Sequence, residues 1–229
     1  MKVESYLRGR WLADRNGDPA VRPGRFTLFG LDWLLDDAVF APISCESTRL
    51  FTEWLPFPVG GSFLEVGCGA GVTSVMAARA GCVRVVAVDV SADAFANTVR
   101  NVALHDLSDR VEVLLGDLFE PVGAEHFDVV YWNSNFIDTP DGFVAETGIE
   151  QAIFDPGYRT HRRFLAGLRA RLAPGGRAFL GFSTLGSHDL LDQQAADMGW
   201  MVHTRRASEP GLVPGFAYQL LELESSWAV

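Results

Sequence analysis

Residues 63–71 read FLEVGCGAG. A short apolar run (Phe63, Leu64, Val66) ends in glycines at 67, 69 and 71, and a helix-compatible run, VTSVMAARAG, follows. The pattern is strand, tight turn, helix. Glycine lets the backbone bend sharply and lets a ligand approach where a Cβ would intrude. The helix behind it points unpaired N–H groups at that ligand. Glu65 sits one residue from the strand end, where its carboxylate faces the same space. A glycine turn of this kind is equally a plain tight connection, so the rest of the chain has to decide.

The chain alternates around that loop. Strand 63–66 leads to helix 71–80. Strand 83–90 leads to helix 92–104, opened by Ser91 as N-cap with Asp93 in its first turn. Strands 111–115 and 127–132 follow, then an insertion, 138–158. The helical window YRTHRRFLAGLRARLA is stopped by Pro174, Gly175 and Gly176. Strand 177–184, helix 187–198 and strands 200–206 and 216–224 complete the series. Such alternation predicts an α/β fold, doubly wound, with a mostly parallel seven-stranded sheet. Upstream, residues 1–25 are polar and punctuated by Asn16, Gly17, Pro19, Pro23 and Gly24, which predicts a loosely docked, irregular lead-in. FTLFGLDWLLDD (26–37) predicts a hairpin around Gly30. Residues 44–55 have helical spacing, with Leu50, Trp54 and Leu55 on one face, and Pro56 and Pro58 end that helix. The expected division is 1–58, a lead-in capping the active site, and 59–229, the main domain. At 229 residues and 48% apolar composition, the chain is large enough for a substantial core.

In sheets of this type ligands bind beyond the carboxyl ends of the strands. Four strand ends carry polar residues. The glycine loop, with Cys68 inside it, is the first. Asp89, with Val90 beside it, ends the second strand 18 residues after Gly71. An acid there can accept both hydroxyls of a ribose, or serve only as a helix N-terminal acid. Asp117, in GDLF beside Leu118 and Phe119, suits an adenine, with apolar contacts for the ring and an acceptor for its amino group; a Gly-Asp turn is the simpler reading. Asn133-Ser134-Asn135-Phe136 is the fourth. Asn133 offers both a donor and an acceptor to a polar substrate group, and Phe136 a face for a flat one.

The formal net charge is -10, with 19 Lys and Arg. Nucleic acid is held mainly through phosphate neutralisation, so an acidic chain is poorly suited to it. Arg159, Arg162, Arg163, Arg169 and Arg171 cluster in one helical window, which reads as a solvated face. No stretch has the length and apolarity of a membrane span, and the first residues lack a signal-peptide core. Cys45, Cys68 and Cys82 are odd in number and not at metal-ligand spacing, so reduced thiols and a cytoplasmic setting are expected, with no metal site and no membrane partner.

These motifs together resemble those of class I S-adenosylmethionine-dependent methyltransferases. FLEVGCGAG is similar to their glycine loop, VVAVDVS to their ribose-acid strand, GDLFEPV to their adenine-side turn and LAPGGRAFL to their helix–PGG–strand connection. The likeness covers about residues 60–185. FDVVYWNSNFI further resembles the FDLIVxNPPYI segment of HemK-type glutamine methyltransferases and the wider small-domain N-methyltransferase group, with Asn133 on their Asn and Phe136 on their Tyr. FGLDWLLDDAVFAPISCEST resembles that group's lead-in. Ser134 and Asn135 stand where the group has two prolines.

The resemblance implies S-adenosylmethionine as cofactor and S-adenosylhomocysteine as product. It implies donor contacts from Glu65, Gly67, Cys68, Gly69, Gly71, Asp89, Val90, Asp117, Leu118 and Asn133. Asn133 would orient the acceptor and Phe136 line its pocket. His188, just after the fifth strand with Asp189, is the candidate proton acceptor, and His161 a weaker one; His105 and His203 read as structural, His126 as a surface residue. The insertion 138–158 reads as a substrate lid. With the two prolines replaced, a small-molecule acceptor is expected first and a protein side-chain amide or amine second. A non-catalytic donor-binding homologue is the third reading. A nicotinamide oxidoreductase fits poorly, because Val72 stands where GxGxxG requires a small residue.

Overall fold

The computed structural model describes residues 2–18, 20, 22–140, 142–209, 212 and 215–226. The helices are α1 (Lys2–Gly17), α2 (Ser47–Trp54), α3 (Val72–Arg79), α4 (Ala92–Leu104), α5 (Gly148–Gln151), α6 (Arg159–Leu168) and α7 (His188–Asp197). The strands are β1 (Arg25–Leu28), β2 (Leu31–Leu34), β3 (Ser62–Val66), β4 (Arg84–Asp89), β5 (Val111–Leu115), β6 (Phe127–Asn133), β7 (Leu172–Ser183), β8 (Trp200–Ala207) and β9 (Tyr218–Ser225). Seven strands form one sheet in the order β5-β4-β3-β6-β7-β9-β8. β9 alone runs antiparallel to its neighbours β7 and β8. The order reverses between β3 and β6, so the glycine loop and the end of β6 flank one crevice.

The period-two alternation of the strands splits the core in two. Phe63, Val85, Ala87 and Tyr131 pack with Phe51 of α2, Val75 and Ala78 of α3 and Val102 of α4. Their neighbours Leu64, Val86, Val88 and Val130 pack with Phe164, Leu165 and Leu168 of α6 and Leu191 of α7. A strand buried on both faces is expected to be continuously apolar, as VVAV is.

The hairpin forms as expected. Phe29 and Gly30, at φ 56 and 70, make a two-residue turn with both φ positive, the type whose twist suits a hairpin. Its strands are docked on α4 by two fully buried asparagines. Asn97 accepts from the Asp36 amide at 2.7 Å and donates to the Leu34 carbonyl at 3.0 Å. Asn101 accepts from the Leu34 amide at 2.8 Å and donates to the carbonyls of Leu34 and Ala70 at 2.9 and 2.8 Å.

Two expectations are corrected. Residues 2–17 are helical, not irregular: Asn16 and Gly17 lie inside α1, and Pro19 lies outside the described residues. The buried face of α1 is made of small and polar residues, Ser5, Gly9, Ala13 and Asn16, while Val3, Leu7 and Trp11 are exposed. A Cβ on Gly9 would lie 2.5 Å from the Phe154 ring, so glycine permits the close approach of α1 to the insertion. Asn16 then accepts from the Ala41 amide at 2.8 Å, tying α1 to the segment before α2. The Pro174-Gly175-Gly176 run does not stop α6, which ends at Leu168 with one tighter turn after it. The run is an irregularity within β7, where pairing with β6 jumps from Leu172 to Arg177. A Cβ on Gly176 would meet the Phe127 carbonyl at 2.7 Å.

Candidate active site

The crevice at the carboxyl ends of β3, β4, β5 and β6 is one cleft of about 1410 Å³, counting the solvent-filled mouth. Its lining includes Glu65, Gly67, Cys68, Gly69, Asp89, Val90, Asp117, Leu118, Asn133 and Phe136. Gly71 and His188 do not line it.

The three glycines have three separate reasons. All have positive φ (66, 56 and 79). A Cβ on Gly67 would crowd the Trp132 indole nitrogen at 3.3 Å. A Cβ on Gly69 would meet nothing within 4 Å: it would project into open space at the cleft lining. A Cβ on Gly71 would meet Thr98 of α4 at 2.8 Å, so this glycine serves helix packing. Thr98 in turn donates to the Gly69 carbonyl at 2.8 Å and its hydroxyl lies 3.3 Å from Cys68 Sγ. Cys68 is buried, and burial holds its thiol well above the usual range, so the side chain is packing and the backbone is what the cleft meets.

Asp89 bridges the loop and the next helix. Its Oδ2 accepts from the Gly69 amide at 2.9 Å and its Oδ1 from the Ser91 amide at 2.9 Å. The Val90 amide also bonds this carboxyl, which leaves part of its acceptor capacity for a ligand. Burial raises its pKa, against the lowering effect of those amides. Beside it Val90 is 58% exposed at the cleft, an apolar surface available to a flat ring.

Glu65 lines the cleft, but its carboxylate is turned back to α3, where it accepts from the Ser74 hydroxyl. Thr73, also bonded to it, reaches the Thr52 hydroxyl of α2 at 2.9 Å. Burial pushes the Glu65 carboxyl up to about 8. Asp117 is likewise placed at the cleft but engaged: Oδ2 accepts from Arg163 at 2.8 Å. Leu118, at φ 49, is buried in the cleft lining, whereas Phe119 packs away from it on Phe164.

After β6 the four residues divide the work. Asn133 lines the cleft, its Oδ1 packed against the backbone of Gly181. Ser134 donates to the Gly181 carbonyl at 2.8 Å. Asn135 is not free for a substrate with its amide nitrogen, which donates to the carbonyls of Gln151 and Phe154 at 3.0 Å each. Phe136 lines the cleft and packs on Phe182. The insertion folds as α5 and a bridge between Ile137 and Phe154, beneath α1. Gly148, Gln151, Ala152 and Ile153 of the insertion and Leu12 of α1 reach the cleft.

His188 is the residue the structure moves out of the site. The turn after β7 directs it to Gln219 at 2.8 Å and onto the edge of Phe182. His161 is fully buried and bonded through Nδ1 to Asp155 at 2.7 Å, stacked between Trp132 and Tyr158. His105 packs on Trp33 and His203 lies beside Glu224. Trp132, Thr160, Ser47, Cys45 and Tyr218 are cleft residues that the sequence did not single out. Trp132, next to last in an apolar strand, carried a signal; Tyr218, on β9, carried none.

The electrostatics test what the cleft can hold. Its lining has three carboxyl side chains (Glu65, Asp89, Asp117), of which burial pushes Glu65 up to about 8 and Arg163 pairs with Asp117, and, among the described residues, no Lys, Arg or His. Such a lining favours a cationic ligand and opposes a pyrophosphate. S-adenosylmethionine, with a sulfonium and an ammonium, fits on both counts: the open face of Gly69 admits its chain, and Asp89 and Val90 suit its ribose and adenine. No helix among the described residues is long and apolar enough to cross a membrane.

Known proteins agree. The family model "Methyltransferase small domain" matches residues 35–198. The chain is 32% identical over 136 residues to the ribosomal protein L11 methyltransferase of Methylococcus capsulatus, covering 58% of this chain and 38% of that protein. It is 33% identical over 120 residues to the ribosomal protein uL3 glutamine methyltransferase of Bordetella pertussis, covering 49% of this chain and 40% of that protein. The matches thus span well under half the length of these relatives. The crystal structure of a methyltransferase from Pyrococcus furiosus shares the fold at a TM-score of 0.63 and 18% identity, over 97% of each chain. The chain belongs to the methyltransferase small domain family of S-adenosylmethionine-dependent methyltransferases.

Proposed function

We propose that this protein transfers a methyl group from S-adenosylmethionine to an amide or amine nitrogen carried on a protein side chain. The observation that carries the reading is the place of Asn133: it ends β6, lines the same cleft as Gly69 and Asp89, and takes no part in the hydrogen bonds that tie down its neighbours Ser134 and Asn135. The bound donor supplies a methyl already activated on a sulfonium. The chain's own residues then hold and align. Gly69 would admit the donor, Asp89 would accept from its ribose hydroxyls, and Val90 and Leu118 would give its ring apolar contacts. Asn133 would accept one N–H of the acceptor and turn its nitrogen toward the methyl. As the N–C bond forms the S–C bond breaks, S-adenosylhomocysteine is left neutral, and the displaced N–H proton is lost to solvent as the product leaves. Phe136 excludes water on the acceptor side. Alignment and desolvation of this kind account for large parts of a transfer rate.

Sequence alone put a small molecule first. The two relatives named above are methyltransferases of ribosomal proteins, one of glutamine, and this favours a protein acceptor. A small-molecule acceptor stays as the second reading, because Leu12, Phe40, Pro42, Ile137 and Ile153 give the acceptor end an apolar wall that a small body would fill. Methyl-tritiated S-adenosylmethionine separates them. Incubated with a size-fractionated cell extract, the protein is expected to label the macromolecular fraction. Asn133→Ala should abolish that label while keeping S-adenosylhomocysteine affinity within about two-fold. Label confined to the small-molecule filtrate would favour the second reading. Donor binding without label in either fraction would leave a donor-binding homologue.

A further inference from the structure

We infer that Tyr158 is a positioning residue for the acceptor: its hydroxyl fixes the Phe136 carbonyl, and with it the backbone that carries Asn133 and Phe136 at the cleft. The inference rests on the methyl-transfer reading above.

Residues 134–137 leave β6 with no proline to stiffen them. They are held instead by other parts of the chain. Ser134 bonds the Gly181 carbonyl through its amide at 3.2 Å and its hydroxyl at 2.8 Å. Asn135 holds Gln151 and Phe154. Ile137 exchanges backbone bonds with Ile153 at 3.3 Å and Asp155 at 3.0 Å. The Phe136 carbonyl is taken by the Tyr158 hydroxyl at 2.5 Å. That hydroxyl also accepts from the Ser187 amide at 2.7 Å. A phenol has one proton to give. With an amide donating to its oxygen, that proton is committed to Phe136.

The rest of the segment aims this hydroxyl. Gly157 and Tyr158 both lie in the left-handed region, at φ 61 and 50, a costly place for a bulky residue. The Tyr158 ring is fully buried and stacks on His161 at 4.4 Å and 28°. His161 is fastened to Asp155, and its other neighbour, Trp132 at 4.7 Å, lines the cleft. Gly186 leaves room for the hydroxyl: a Cβ there would stand 2.9 Å from it. Burial raises the phenol pKa further, so the proton stays in place across the physiological range. A misplacement of the reacting groups by about 1 Å can cost about a hundred-fold in rate.

Tyr158→Phe keeps the ring and removes the hydroxyl. Hydrogen exchange of the full-length protein is expected to rise about ten-fold or more at amides 134–137. It should stay unchanged at 67–72, with S-adenosylhomocysteine affinity by calorimetry within about two-fold of the parent. With a glutamine-bearing peptide as methyl acceptor, kcat should fall about ten-fold while KM changes little. Unaltered exchange at 134–137, or equal loosening at 67–72, overturns the inference. So does a fall in transfer that is entirely in KM. If the parent itself does not methylate the peptide, the protein-acceptor reading fails, and the exchange comparison still decides on Tyr158. Should the variant not fold, the parent supplies a second measure: the Ser187 amide and amides 134–137 should exchange together, and rates differing by more than about ten-fold would break the link.

Discussion

Replacing Glu65 by glutamine removes a carboxyl that burial keeps protonated around neutral pH. The group titrates near 4.5 in the unfolded chain and at about 8 in the folded one. Between those values the folded state holds a proton that the unfolded state has lost, so stability falls as pH rises through that window. The interval from 4.5 to about 8, at about 1.4 kcal/mol per pH unit, caps the loss at about 5 kcal/mol. Asp89, also raised by burial, adds in the same direction. Glutamine keeps an acceptor for the Ser74 hydroxyl and does not titrate. Urea unfolding between about pH 5 and 8 should therefore show the parent losing several kcal/mol that Glu65→Gln retains. The two should match at the acid end. The same proton is expected to leave when a cationic ligand arrives. Calorimetry of S-adenosylmethionine binding at about pH 7, in buffers of different ionisation enthalpy, should find close to one proton released by the parent and fewer by the variant. Parallel stability curves would refute the reasoning, because they would mean that the carboxyl is ionised in the folded state.

Gly69→Ala and Gly71→Ala should part ways: the first costs about 1 kcal/mol in stability and weakens S-adenosylhomocysteine binding about ten-fold or more, since its methyl enters the cleft, whereas the second, set against Thr98, should cost about 2–3 kcal/mol by urea unfolding. Asn101→Ala strands the Leu34 amide and the Ala70 carbonyl, while the Leu34 carbonyl keeps Asn97, and should destabilise by about 2–4 kcal/mol in the same assay. His188→Ala, which touches Gln219 and not the cleft, should leave the rate of methyl transfer within about two-fold at every pH tested.

The succession of strands along the chain and the cleft at their carboxyl ends were legible because they rest on periodicity and on strand ends. Phe63 and Leu64 point to opposite cores because a strand repeats every two residues. Ser91 caps α4 because its hydroxyl reaches the Ala94 amide. Helix α1 was not legible for a physical reason. Its buried stripe is Ser5, Gly9, Ala13 and Asn16, Tyr6 and Leu12 are only half-buried beside it, and Val3, Leu7 and Trp11 face outward, which blurs the usual signal. At the site, position was legible and orientation was not. Asp117 is where the motif puts it, but Arg163, 46 residues later, engages one of its oxygens. Glu65 lies at the right strand end, but two hydroxyls on α3 turn it inward. His188 follows the right strand, and the turn between decides that it faces elsewhere.

Asn101 donates one amide to two carbonyls, that of Leu34 in the hairpin and that of Ala70 in the glycine loop. Asn97 also holds the hairpin to α4, and Asp89 and Thr98 hold the loop, so Asn101 joins two parts that are each fastened by other side chains as well. The lead-in is in that sense not a module added in front of the donor site. The two share one side chain, so a ligand that steadies the loop is expected also to slow hydrogen exchange in a hairpin it does not touch.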